Sequence, residues 1–259
     1  MKERLDILLV ERRLTESRTK AHWLIRNAYV LVNGVVIKKP GKKIDNKSEI
    51  ELTQEFPYVG KGGLKLEAAL KDFSISIEKK VCADIGASVG GFTDCLLKHG
   101  ASRVYAIDTA KDLLHPSLRC EKMKNKVIPM LGIDARNLKK LPEKVDICTV
   151  DVTFTTIKAI LLNIKKYMKR EGNIITLIKP LFETEFYKSN EFKIITDSVK
   201  LHQIMIELME WSIQNKVFPY GIIKSPLLGK GGSIEFFIHY RIDKERLNYN
   251  YKKSIRKVV

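Results

Sequence analysis

Asp84-Ile85-Gly86-Ala87-Ser88-Val89-Gly90-Gly91-Phe92 closes the apolar run Val81 to Ile85 with a glycine-rich turn and then opens a helical pattern. Gly86, Gly90 and Gly91 can take backbone angles closed to other residues and carry no side chain, while the first N–H groups of the following helix lack intrahelical partners. Such a turn lets a nucleotide-like cofactor approach bare backbone. A second apolar run, Arg103 to Ile107, ends in Asp108 about one βαβ step later, where a carboxylate can accept hydrogen bonds from ribose hydroxyls. The dinucleotide fingerprint G-x-G-x-x-G is not matched, because Ser88 stands at its third position where glycine is required, and the looser pattern suits S-adenosylmethionine better than NAD. The alternative is an ordinary tight turn between strand and helix.

Outward from this turn the chain alternates. Strands are expected near Val81 to Ile85, Arg103 to Ile107, Val127 to Met130, Val145 to Val150, Ile174 to Ile178, Val217 to Lys224 and Ser233 to Tyr240. Helical patterns fill most gaps, which predicts an α/β fold with a mainly parallel sheet covered on both faces. The last two strands have no helix between them and are separated by Pro226 and the glycines of 229–232, so they should form an antiparallel hairpin at the sheet edge. That hairpin is typical of the methyltransferase variant of the doubly wound fold.

The first fifty-odd residues form their own unit. Leu5, Leu8, Leu9 and Arg12 recur at helical spacing, and Thr15-Glu16-Ser17 offers capping oxygens to a second helix over Arg18 to Arg26. Asn33-Gly34, flanked by Tyr29 to Val32 and Val35 to Ile37, is a hairpin signal because both residues tolerate positive φ. A last strand is expected at Glu49 to Leu52. Pro57 and Gly60-Lys61-Gly62-Gly63 then read as a linker. The expected organisation is 1–56 as the first domain, 57–63 as the linker, 64–243 as the α/β domain and 244–259 as a basic helix or tail.

The chain has 259 residues, 44% of them hydrophobic, enough for one α/β domain and a small companion each with its own core. A net charge of +17, spread over helix faces and loops, fits a protein that tracks a phosphate backbone; the plainer alternative is a solvated basic surface. Cys82, Cys95, Cys120 and Cys148 include no C-x-x-C pair and no histidine at zinc spacing, so no metal site is indicated and a reduced, cytoplasmic chain is the simplest account. The acids at Glu3 and Asp6 stand where a signal peptide would be apolar, and no run approaches membrane-spanning length.

Ligands of an open α/β sheet lie beyond the carboxyl ends of its strands. Asp84, Asp108, Asp151 and Lys179 stand at such ends, and Asp134 follows the third strand. Lys179, between isoleucine and proline, needs a counter-charge if it is buried, and Asp151 on the adjacent strand can supply it. Read alone, that pair is either functional or a structural ion pair in a cleft.

Two short helices followed by a hairpin with a basic edge resemble the S4 RNA-binding domain, down to Ser17-Arg18-Thr19-Lys20 and Val32-Asn33-Gly34. Further motifs resemble the TlyA family, which joins an S4 domain to an FtsJ-like methyltransferase: Lys61-Gly62-Gly63-Leu64-Lys65-Leu66-Glu67, Asp84-Ile85-Gly86-Ala87-Ser88, Gly90-Gly91-Phe92-Thr93, Asp151-Val152-Thr153-Phe154, Lys179-Pro180-Leu181-Phe182-Glu183 and Ser233-Ile234-Glu235-Phe236. The resemblance spans about residues 3 to 241. It implies S-adenosylmethionine-dependent methylation of a cytidine 2′-hydroxyl in ribosomal RNA, with large-subunit RNA favoured, by a monomer needing no protein partner.

The resemblance also implies a catalytic tetrad at Lys65, Asp151, Lys179 and Glu235. Cofactor contacts would fall on Asp84, Gly86, Ala87, Ser88, Gly90, Gly91, Asp108 and Asp134. RNA contacts would come from Arg4, Arg18, Lys20, Arg26, Lys42, Lys43 and Lys61. A free lysine sits about three units above neutral pH, so proton abstraction by Lys179 would need roughly 4 kcal/mol of help, and orienting the hydroxyl is the less demanding role. The chain departs from the family at Gly60-Lys61, where Ser-Arg is common, at Ser233, where asparagine is common, and over Thr184-Glu185-Phe186-Tyr187-Lys188-Ser189-Asn190, which replaces a glycine-rich stretch. A noncatalytic RNA-binding protein and a membrane-active hemolysin are the competing readings.

Overall fold

The computed structural model describes residues 1–184, 194–244, 246 and 249–259. Its chain divides into two compact units, Met1–Lys61 and Gly62–Val259.

In the first unit, strand β1 (Lys2–Arg4) runs into helix α1 (Leu5–Glu11), and helix α2 (Arg18–Arg26) follows. Ser17 caps α2 by accepting from the Lys20 N–H at 3.4 Å. Strands β2 (Val30–Val32) and β3 (Val35–Val36) form the expected hairpin, with Asn33 at φ +49° and Gly34 at φ +75°. Strand β4 (Lys43–Asp45) pairs with β1, and β5 (Ile50–Leu52) pairs with β2. Leu5, Leu9, Ile25 and Val30 are fully buried at the centre of this unit. The β1–β4 pair was not expected, because Lys-Glu-Arg and Lys-Ile-Asp offer no run of apolar alternation.

The second unit opens with α3 (Gly62–Asp72), so two glycines of the expected linker are helical. A Cβ on Gly62 would stand 3.2 Å from the Phe92 ring, and the bare glycine permits that approach. Then come β6 (Val81–Ile85), α4 (Gly91–Lys98), β7 (Arg103–Asp108), the short α5 (Pro116–Arg119), β8 (Val127–Leu131) and β9 (Val145–Val150). The chain continues through α6 (Lys158–Ile164), β10 (Met168–Ile178), α7 (Ser198–Gln214), β11 (Phe218–Lys224), β12 (Phe236–Arg241) and α8 (Tyr251–Val258).

The sheet order is β11-β12-β10-β9-β6-β7-β8. Only β12 runs antiparallel to its neighbours among these strands. The expected hairpin is present with β11 at the edge and β12 inserted against β10. Ile174, Ile175, Phe236, Phe237 and Ile238 are buried, each burial contributing about 1.5–3 kcal/mol. In the region expected as a basic helix or tail, α8 packs on α7 and buries Ile255 completely. Residues 185–190 of the divergent loop lie outside the described residues.

Candidate active site

A cleft of about 550 Å³ opens at the carboxyl ends of the central strands, and its walls include Gly86, Ser88, Asp108, Asp134, Asp151 and Lys179. The topology brings these residues together, because parallel strands deliver their last residues to one side of a sheet.

The glycine turn owes its shape to packing within the protein. Gly86 has φ +80°, and a Cβ there would fall 2.1 Å from the backbone oxygen of Asp151. The end of β9 can therefore rest directly on the turn, where the Asp151 N–H donates to the Ile85 oxygen at 2.9 Å. Gly90, at φ +95°, caps α4 next to Leu118. The N–H groups of Gly86 and Ala87 both donate to the Ile107 oxygen, at 2.8 and 3.1 Å. These two amides are therefore used inside the fold, ahead of the helix-start N–H groups that the sequence offers to a cofactor. Gly86 and Ser88 line the cleft, whereas Ala87, Gly90 and Gly91 are buried behind it.

Asp108 is a fixed acceptor. Its two oxygens receive the N–H groups of Ser88 and Ala110, each at 2.7 Å, and lone pairs remain for a ligand. Asp134 is gripped by Arg136 through contacts of 2.9 and 2.6 Å, and the guanidinium holds its carboxyl below the usual range. Asp84 does not line the cleft. It is fully buried and accepts from Thr93 Oγ1 at 2.7 Å and Thr149 Oγ1 at 2.9 Å, so it braces β6 against α4 and β9. Burial pushes its pKa up to about 6.

The four tetrad positions form two ion pairs. Lys179 Nζ lies 2.6 Å from Asp151 Oδ1, outside the hydrogen-bond direction of that oxygen, and donates to the Val152 backbone oxygen at 3.0 Å. Lys65, on α3, donates to Glu235, and both are buried. Because Ile178 pairs with Phe236 across β10 and β12, Lys179 and Glu235 leave neighbouring strands at the same level. A Cβ on Gly229 would come 2.2 Å from Glu235 Oε1, so the turn before β12 wraps closely around that carboxylate. Asp151 and Lys179 face the cleft, with Lys65 and Glu235 outside its lining.

Two features were not anticipated. Phe154 lines the cleft with its side chain 65% exposed, its backbone at φ +60° and its ring centroid 5.4 Å from that of Phe182. A bulky residue held there stores about 1–2 kcal/mol of strain. The available signal was an aromatic three residues past a strand-end acid, with no periodicity to bury it. In the first unit, fully buried Asp6 accepts from Arg4 Nε at 2.9 Å and Arg18 Nη2 at 2.7 Å and meets His22 Nε2 at 2.8 Å. Burial raises the Asp6 carboxyl, and the bonds from Arg4, His22 and Arg18 outweigh it, leaving it well below the ordinary range. Lys20 pairs with Glu16 and lies 5.5 Å from the Phe56 ring centre, while Arg26, Lys42, Lys43 and Lys61 are exposed.

The donor set fits a nucleoside-type cofactor. Asp108 suits a vicinal diol, Asp134 gives a second acceptor, and Ile107, Ile133 and Leu113 supply apolar walls. A doubly wound sheet with a reversed strand beside its last parallel neighbour, and a lysine–aspartate pair facing the cleft, is a methyltransferase architecture and not that of a dehydrogenase. Comparison with known proteins agrees. The FtsJ-like methyltransferase family matches residues 58–242, and the S4 domain matches residues 3–50. Hemolysin A of Brachyspira hyodysenteriae is 38% identical over 92% of this chain and all of that protein. The 23S rRNA (cytidine-2'-O)-methyltransferase TlyA of Campylobacter jejuni is 31% identical over 89% of this chain and 96% of that one. A solved hemolysin-type chain from Streptococcus thermophilus superposes with a TM-score of 0.72 at 30% identity, covering 99% of this chain and 95% of that chain. The chain belongs to the TlyA family of FtsJ-like methyltransferases carrying an S4 domain.

Proposed function

We propose that this protein methylates the 2′-hydroxyl of a cytidine in ribosomal RNA, with large-subunit RNA favoured and S-adenosylmethionine as cofactor. The observation that carries this reading is the Lys179 ammonium at the cleft wall, held by Asp151 and the Val152 oxygen beside a nucleoside-sized cavity. When bound, the cofactor supplies an electrophilic methyl group. Asp108 and Asp134 would accept from its ribose and adenine. Lys179 donates a hydrogen bond to the ribose 2′ oxygen, aims a lone pair into the cleft and stabilises the charge on that oxygen while the hydroxyl proton is released to solvent water. Asp151 fixes that ammonium in place, and the buried Lys65–Glu235 pair fixes the neighbouring strand start. The exposed Phe154 ring offers a stacking surface for the target base.

The S4 unit supplies affinity through phosphate contacts from Arg26, Lys42 and Lys43 and from the Arg4–Arg18 cluster. One chain carries both the cleft and the tetrad, so no protein partner is required, and a ribosomal substrate places the work in the cytoplasm. Methylation at cytosine carbon fits poorly, because Cys148 is fully buried in β9 and its thiol is pushed well up by burial. Among the described residues no helix is long and apolar enough to cross a membrane.

The test uses purified protein, labelled S-adenosylmethionine and ribosomal subunits lacking the modification. Wild-type protein should transfer label to RNA. Lys179→Ala should lower transfer by about 10³-fold or more while RNA binding stays within about twofold. Absence of transfer to either subunit would leave the noncatalytic RNA-binding reading in its place.

A further inference from the structure

Glu183 closes the short helical turn Pro180–Glu183 that follows Lys179. Its two carboxylate oxygens face back across the cleft wall. One accepts from Thr156 Oγ1 at 2.6 Å and the other from the Ile157 N–H at 2.9 Å. Thr156 and Ile157 end the loop that starts at Asp151 and contributes Asp151, Val152, Thr153, Phe154 and Thr155 to the cleft. Three rungs therefore join this loop to the turn: Lys179 to Asp151 and Val152, Phe182 to Phe154, and Glu183 to Thr156 and Ile157. The first rung uses the same ammonium that must also engage the hydroxyl with its remaining N–H, and the second is a ring contact worth about 1 kcal/mol. The third gives both oxygens of one carboxyl a donor from the loop and makes no use of the reacting ammonium.

We propose that Glu183 is a positioning residue that locks the Asp151–Thr155 wall to the Lys179 turn, so that the lysine and the Phe154 ring meet the RNA nucleotide in one fixed geometry. It touches neither RNA nor cofactor. Its loss lets the loop drift relative to Lys179, and a shift of about 1 Å costs on the order of 10²-fold in rate. The expectation for turnover rests on the RNA-methylation reading above; the tie itself does not.

Two variants separate positioning from charge. Glu183→Ala removes both bonds. Glu183→Gln keeps an oxygen for the Ile157 N–H and offers its amide to Thr156 Oγ1, which can accept. The expected result is a kcat lowered about 10²-fold in Glu183→Ala, with the KM for S-adenosylmethionine within about twofold of wild type and most of the loss recovered in Glu183→Gln. Independently of activity, amide hydrogen exchange over residues 153–157 should accelerate in Glu183→Ala and stay near wild type in Glu183→Gln, with residues 86–91 unchanged in both. Wild-type kcat in Glu183→Ala, an equal loss in both variants, or unchanged exchange over 153–157 would overturn the proposal. If Glu183→Ala does not fold, Thr156→Val removes one of the two donors and should give the same pattern at smaller size. If wild-type protein methylated no RNA, the proposed function would fall, and the exchange comparison alone would still decide the tie.

Discussion

Asp84 and Asp6 are both fully buried carboxylates, yet their surroundings push them in opposite directions. Asp6 meets two guanidiniums and an imidazole. Asp84 meets the Thr93 and Thr149 hydroxyls and the Thr93 backbone N–H, so burial dominates and its pKa rises to about 6. A carboxyl whose folded pKa lies above its unfolded value of about 3.9 binds protons more tightly in the folded state. Its stabilising effect is complete below about pH 4 and is lost as pH rises through 6, a span worth up to about 3 kcal/mol. Asp84→Asn should therefore flatten the pH dependence of stability between pH 4 and 7, measured as the difference from wild type in urea midpoints. Equal slopes in both proteins would contradict this. Asp108, Asp151 and Lys179 were legible in the sequence because each ends an apolar run. Phe154, Asp6 and the tie made by Glu183 were not, since their meaning depends on partners that are distant in sequence or on backbone angles that composition does not reveal.

At the scale of elements, the strands of the α/β sheet could be read because buried parallel strands are continuous apolar runs. The start of β10 was missed because Lys169-Arg170-Glu171 is polar and exposed, and pairing with β9 shifts register between Met168 and Asn173. The turn joining β6 to α4 is glycine-dependent, as its backbone angles suggested, and the close approach of β9 adds a second reason. Gly86 is demanded by its positive φ and by the Asp151 oxygen, which is backbone and cannot step aside. Gly86→Ala should cost at least about 2 kcal/mol of stability and should weaken cofactor binding, because moving the end of β9 moves Asp151. Chemical denaturation and equilibrium binding of S-adenosylmethionine check both effects. Wild-type stability in this variant would show that the close approach of β9 to the turn is not required.

For the whole molecule, the chain carries a net charge of +17 and folds as two compact units, with an S4 domain over residues 3–50 and an FtsJ-like methyltransferase domain over 58–242. The S4 unit was legible from its helix spacing and Asn33-Gly34 turn, and the methyltransferase unit from strand alternation around one glycine turn. What the sequence could order but not arrange was the set of four: Asp151 and Lys179 follow the adjacent strands β9 and β10, while Lys65 of α3 meets Glu235 only once the reversed strand β12 is inserted beside β10. The central claim is that this arrangement acts on a ribose oxygen. Its most direct test is the position of the transferred methyl group, read from the modified RNA by nuclease digestion to nucleosides and by resistance of the adjoining phosphodiester to alkali. The expected product is 2′-O-methylcytidine with an alkali-resistant linkage; a methyl group on a base nitrogen or carbon, with the linkage still cleaved by alkali, would contradict it.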